Sequence, residues 1–114
     1  MHGYPATQAA LARLDPADPR TALRFELYYE GVELANGFHE LADASEQRAR
    51  FTHDLAARRQ RGLGSAAFDE RLLAALDSGL PDCCGVALGF DRTVMLAVGA
   101  AGLDSVLPFP IERA

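Results

Sequence analysis

Between Arg24 and Asn36 the chain reads RFELYYEGVELAN, with apolar residues at every second position on either side of Glu30-Gly31. Period two marks a strand with one face turned to a core, and a turn pair between two such runs predicts a hairpin. A two-residue turn pairs Tyr29 with Val32, Tyr28 with Glu33, Leu27 with Leu34 and Glu26 with Ala35. Phe25, Leu27, Tyr29, Val32 and Leu34 then share one face, and Glu26, Tyr28, Glu33 and Ala35 the other.

Helical signals come after the hairpin. Asp43 followed three residues later by Glu46 forms a capping box that predicts a helix over about 43–61. Its thin apolar stripe of Ala44, Phe51 and Leu55 places it on the surface. Asp69 caps a second predicted helix over about 70–79, with Leu72, Leu73 and Leu76 on one side and Gly79 and Pro81 to stop it. The run GVALGF predicts a short buried strand over 85–90, and Asp91 opens a helix that ends near Gly99. Ahead of the hairpin, residues 1–23 read as an irregular lead-in with a short helix at Gln8–Leu14, ended by the prolines of DPADP.

A chain of 114 residues suits one modest domain. The net charge of −5 lacks a basic nucleic-acid footprint, which disfavours DNA and argues mildly against tRNA. No apolar run reaches the ~20 residues of a membrane span, and the N-terminus lacks the order of a signal peptide. Cys83 and Cys84 are adjacent, which strains a mutual disulfide, so they read as reduced thiols of a cytoplasmic protein. Metal-type cysteine spacing is absent from the sequence.

Two stretches carry residues suited to chemistry. Residues 25–40, FELYYEGVELANGFHE, hold Glu26 and Glu33 with no Lys or Arg among them. As diagonal neighbours on two strands these carboxylates come within reach of one cation, and magnesium favours a few carboxylates plus phosphate oxygens. A solvated sheet face is the ordinary alternative. In GVALGFDR, a strand, Gly89, Asp91 and Arg92 follow in quick succession. The cationic Arg92 sits in a first helical turn, where it opposes the macrodipole and is best explained by a facing anion such as phosphate. Gly89 leaves room for a flat ligand. A surface turn into a core helix is the alternative there. His39, the Arg58, Arg59 and Arg61 cluster and the two cysteines read as structural or solvated.

Together, in this order, the two stretches resemble class II aminoacyl-tRNA synthetases. GVALGFDRTVML is similar to motif 3 of that class, and RFELYYEGVELANGFHEL to the ATP and amino-acid stretch of its lysyl branch. YPATQAALA, ELANGFHEL and LPDCCGVALGFDR resemble the lysyl-tRNA synthetase paralogues that attach (R)-β-lysine to elongation factor P. Lysyl synthetases themselves tend to carry EIGNGFSEL and a glycine where Ala87 stands.

The resemblance implies an α+β fold, an antiparallel sheet flanked by helices, with residues 24–114 as part of the catalytic domain. Because motifs 1 and 2 have no counterpart, it also implies the C-terminal part of a longer, homo-oligomeric enzyme, inactive by itself. Glu26 and Glu33 would hold magnesium and ATP, with the Leu34 backbone near adenine. Asn36, Phe38, Glu40 and Ala87 would line the pocket for lysine or (R)-β-lysine, Glu40 pairing with its ammonium. Gly89 and Arg92 would pack on the nucleotide, with Arg92 and Glu33 as the catalytic pair. Strict alternation turns Asn36, Phe38 and Glu40 toward the apolar face, and a bulge at Gly37 would re-aim them. The acceptor would be elongation factor P, with tRNA-Lys as the alternative. A non-catalytic binding or dimerisation module is the reading of another class.

Overall fold

The computed structural model describes residues 1–64 and 66–111; residues 65 and 112–114 of the expected 24–114 segment lie outside them. Among the described residues four strands form one antiparallel sheet in the order β1 (His2–Pro5), β2 (Thr21–Tyr29), β3 (Val32–His39) and β4 (Cys84–Leu88), and three α-helices accompany it: α1 (Ala44–Gln60), α2 (Glu70–Asp77) and α3 (Phe90–Ala97). The fold is α+β.

Residues 1–23 are not an irregular lead-in. His2 and Tyr4 pair with Phe25 and Ala22, which makes β1 an edge strand. Tyr4, Ala9, Ala12 and Ala22 form a buried cluster, flanked by Leu14 and Phe38. The expected helix at Gln8–Leu14 is absent. A short 3-10 turn at Ala6–Gln8 gives way to Ala10 at φ 52°, and Ala12 and Leu14 then bridge to Glu40 and Ala22. Left-handed backbone at Ala10 ends helical propagation. Side chains as small as alanine let this segment lie directly against the sheet.

The hairpin turns at Glu30 (φ 47°) and Gly31 (φ 80°), the left-handed pair typical of a two-residue turn. Its strands run further than 24–36. Tyr29 faces Val32 and Tyr28 faces Glu33, but Leu27 faces Ala35 and Glu26 faces Asn36. Leu34 is therefore the extra residue of a bulge, which corrects the expected Leu27–Leu34 and Glu26–Ala35 pairs. The bulge lies at Leu34 and not at Gly37. Gly37 sits in a regular ladder between Phe25 and Val86, and a Cβ there would fall 2.4 Å from the Phe25 ring. Its lack of a side chain serves close packing.

Asp43 caps α1 by accepting the Glu46 N–H at 2.9 Å, and Asp69 caps α2 by accepting from Arg71 and Leu72. Arg50 ties α1 to the first segment by donating to the Ala10 and Ala12 carbonyls at 2.9 and 2.7 Å. Stacked Phe51 and Phe68 rings and an Arg48–Glu70 ion pair join α1 to the α2 region, where Leu73 is buried. Two expectations change near the second motif. The residue preceding α3 is Gly89, with no side-chain cap, and Asp91 lies inside the first turn. β4 is an exposed edge strand, with Val86 66% and Leu88 59% accessible, because it pairs with β3 alone and its outer face meets no described layer.

Candidate functional site

The bulge at Leu34 determines what the sheet presents. Beyond it, Asn36 lies opposite Glu26 and Phe38 opposite Arg24, so both join the polar face of β2. Ala87 and Gly85 of β4 lie opposite Asn36 and Phe38 and continue the same face. Phe25, Leu27 and Leu88 occupy the reverse face with Ala35.

At one end of the polar face, the loop after β4 is fastened to the hairpin. The Gly89 N–H donates to the Leu34 carbonyl at 2.8 Å, using the residue that the bulge leaves unpaired. Arg92 Nη1 donates to the Glu33 carbonyl at 2.9 Å and lies 3.7 Å from Glu33 Oε2. A Cβ at Gly89 would meet the Arg92 stem at 3.3 Å and the Leu34 oxygen at 3.5 Å. Glu33, Leu34, Gly89 and Arg92 thus form one cluster. The anion near Arg92 in this structure is the Glu33 carboxylate.

At the centre lies Glu26, 7% accessible. Tyr4 donates to its Oε2 at 2.6 Å, Tyr28 donates to the same oxygen, and the Arg24 guanidinium pairs with Oε1. Those two phenols, Tyr28 first, and then Arg24 hold the Glu26 carboxyl below its ordinary range. Glu26 in turn raises the Tyr4 and Tyr28 hydroxyls above theirs. Arg24 also donates to Asn36 Oδ1 at 3.3 Å and lies over the Tyr4 and Phe38 rings at 4.6 and 5.7 Å. A cavity of about 480 Å³ opens beside Tyr4, Arg24, Glu26 and Tyr28. The larger cavity, about 960 Å³, lies between α1 and the 6–14 segment, away from the predicted site residues.

At the other end, Glu40 follows β3 and its carboxylate rests on the Gly85 backbone. The sheet therefore brings Glu26, Glu33, Asn36, Phe38 and Ala87 to one face, with Glu40 at its end and Gly89 and Arg92 over its rim.

The premise that no cation balances the two glutamates does not hold in the folded chain. Arg24, one residue before the acidic stretch, serves Glu26, and Arg92 approaches Glu33. Arg24 and Tyr28 were legible as the strand neighbours two positions either side of Glu26. Tyr4 left no local signal. His39 belongs to an exposed cluster with Asp82 and Arg13, at 2.6 Å from Asp82 Oδ1, apart from Glu26 and Glu33. Among the described residues no group of three or more metal-ligating side chains occurs, and no helix is long and apolar enough to cross a membrane.

This sheet, with a strand–glycine–helix unit closing over its hairpin, is that of a class II synthetase: the family of class II tRNA synthetases (D, K and N) matches residues 1–113, and the chain belongs to it. Over all 114 residues it is 58% identical to the elongation factor P (R)-β-lysine ligase of Klebsiella pneumoniae subsp. pneumoniae. The proteins of the same name from Vibrio cholerae serotype O1 and Salmonella paratyphi A are 55% identical over the same length. The chain spans 35% of the length of each of these relatives.

Proposed function

We propose that this chain supplies the ATP- and amino-acid-binding face of an enzyme that activates a lysine-type amino acid as an adenylate and transfers it to a lysine of elongation factor P. The observation that carries the reading is the cluster of Glu33, Leu34, Gly89 and Arg92, held by the Gly89–Leu34 and Arg92–Glu33 hydrogen bonds. Its support is the name shared by relatives at 55–58% identity. The motif-3-like unit from Cys84 to Ala97 supports assigning the span to the C-terminal part of the catalytic domain.

In this reading the substrate carboxylate attacks the α-phosphorus of ATP and pyrophosphate leaves. The acyl group then passes from the adenylate to the acceptor amine. The chain's own contribution is positioning and charge neutralisation, with no covalent nucleophile. Arg92 trades its contact with Glu33 for phosphate and adenine, and Leu34 and Gly89 offer flat backbone to the base. Asn36, Phe38 and Ala87 line the amino-acid pocket, and Glu40 meets the ammonium.

The donor set suits magnesium at Glu33, whose carboxylate is 37% accessible and only loosely paired. Glu26 keeps a lone pair on Oε1 after its contacts with Tyr4, Tyr28 and Arg24, and would complete the pair. Bound there, the ion would neutralise phosphate charge.

The test is pyrophosphate exchange by the native-length polypeptide with α-lysine and (R)-β-lysine, followed by transfer assays with elongation factor P and tRNA-Lys. Glu33→Gln and Arg92→Ala should each lower adenylate formation by about two orders of magnitude or more. Near-normal exchange in either variant removes the site assignment. Charging of tRNA with α-lysine would make the protein a lysyl-tRNA synthetase instead, and absence of ATP binding would make it a binding module.

A further inference from the structure

The end of the site face carries a contact that the motif resemblance does not use. The Glu40 backbone N–H donates to the Cys83 carbonyl at 3.0 Å, which sets the residue where β4 begins. From there its side chain reaches across Gly85: a Cβ built on Gly85 would lie 2.2 Å from Glu40 Oε1 and 3.4 Å from its carboxyl carbon. That space is open only because residue 85 has no side chain. Among the described residues the Glu40 carboxylate has no hydrogen-bond donor or ion-pair partner. It differs in this from Glu26, which has three. Phe38 lies opposite Gly85 in the ladder, and Ala87 is two residues further along the same strand face.

We propose that Gly85 is a positioning residue for the amino-acid substrate, acting through Glu40. Its missing side chain lets one carboxylate oxygen, Oε1, come end-on to the β4 backbone on the face that Phe38 and Ala87 share, with no donor among the described residues competing for a primary ammonium group. The proposal rests on the reading of this face as an amino-acid site. Its physical basis is steric. A methyl group at residue 85 would fall 2.2 Å from the carboxylate oxygen, too close for both to stay, and the group in its way is the end of a flexible side chain. The sheet therefore survives the change, while Glu40 swings off its seat.

The experiment is pyrophosphate exchange by the native-length polypeptide carrying Gly85→Ala, Glu40→Gln, Glu40→Asp or Gly85→Ala with Glu40→Asp. Gly85→Ala should raise KM for the amino acid about tenfold and leave KM for ATP within about twofold. The shorter Asp fits above the new methyl, so the double variant should bind the amino acid better than Gly85→Ala alone, a coupling between neighbours that independent sites lack. If Glu40→Gln raises the amino-acid KM and Gly85→Ala does not, the role of Gly85 is overturned and the amino-acid site stands. If neither changes it, the site reading falls, and this proposal with it. Equal loss of ATP and amino-acid affinity in Gly85→Ala, or no recovery in the double variant, assigns Gly85 a merely structural part and overturns the proposal.

Discussion

The Tyr4 hydroxyl donates to Oε2 of Glu26 across 2.6 Å, joining an edge strand to the centre of the site face over 22 residues of sequence. With Tyr28 on the same oxygen and Arg24 on the other, the carboxylate is fixed in direction. Its carboxyl lies below its ordinary range, because both phenols and the guanidinium favour its charged form.

Tyr4→Phe should therefore reduce stability at neutral pH, and the difference should depend on pH in a defined sense. Glu26 has its carboxyl lowered by folding, so its contribution is present above the unfolded value of about 4.3 and is lost as pH falls through the lower folded value. Denaturation of wild type and Tyr4→Phe at a series of pH values should show a gap that is constant near neutrality and closes below about pH 4. A gap of the same size at every pH would mean that Tyr4 acts only by packing.

Leu73 anchors α2, being 1% accessible while its neighbour Leu72 is 39% accessible. Leu73→Ala should cost roughly 2–5 kcal/mol, and Leu72→Ala much less, because only the first opens a cavity. Urea unfolding of the two variants compares them directly.

Gly37→Ala places a methyl against the Phe25 ring at 2.4 Å and the Gly85 carbonyl at 3.0 Å. The expected loss is roughly 1–3 kcal/mol from overpacking. Adding Phe25→Ala should return part of it, since it removes the ring that the new methyl meets. Thermal melts of the single and double variants provide the check.

The reverse face of the sheet exposes Leu27 at 54%, Val86 at 66% and Leu88 at 59%. An uncovered apolar face of this kind favours association. The 114-residue chain alone should sediment as a concentration-dependent mixture of species, and Leu27→Lys with Val86→Lys should shift it toward monomer.

The hairpin turn and the caps of α1 and α2 were legible in the sequence, because each depends on residues a few positions apart. Glu30-Gly31 supplies left-handed backbone at a turn, and Asp43 and Asp69 reach N–H groups two or three residues ahead. The candidate site residues were legible through the resemblance of two stretches to a family. What the tertiary structure alone decided was their orientation. A single extra residue at Leu34 inverts the face of everything after it in β3, and alternation in the sequence cannot locate such an insertion, because the bulge is a property of the pairing and not of either strand. The same holds for residues 1–23. Nothing local marks Tyr4 as the partner of Glu26 or a run of alanines as the core; both follow from the edge strand and the backbone of residues 9–14 being laid against a sheet whose other strands lie elsewhere in the sequence.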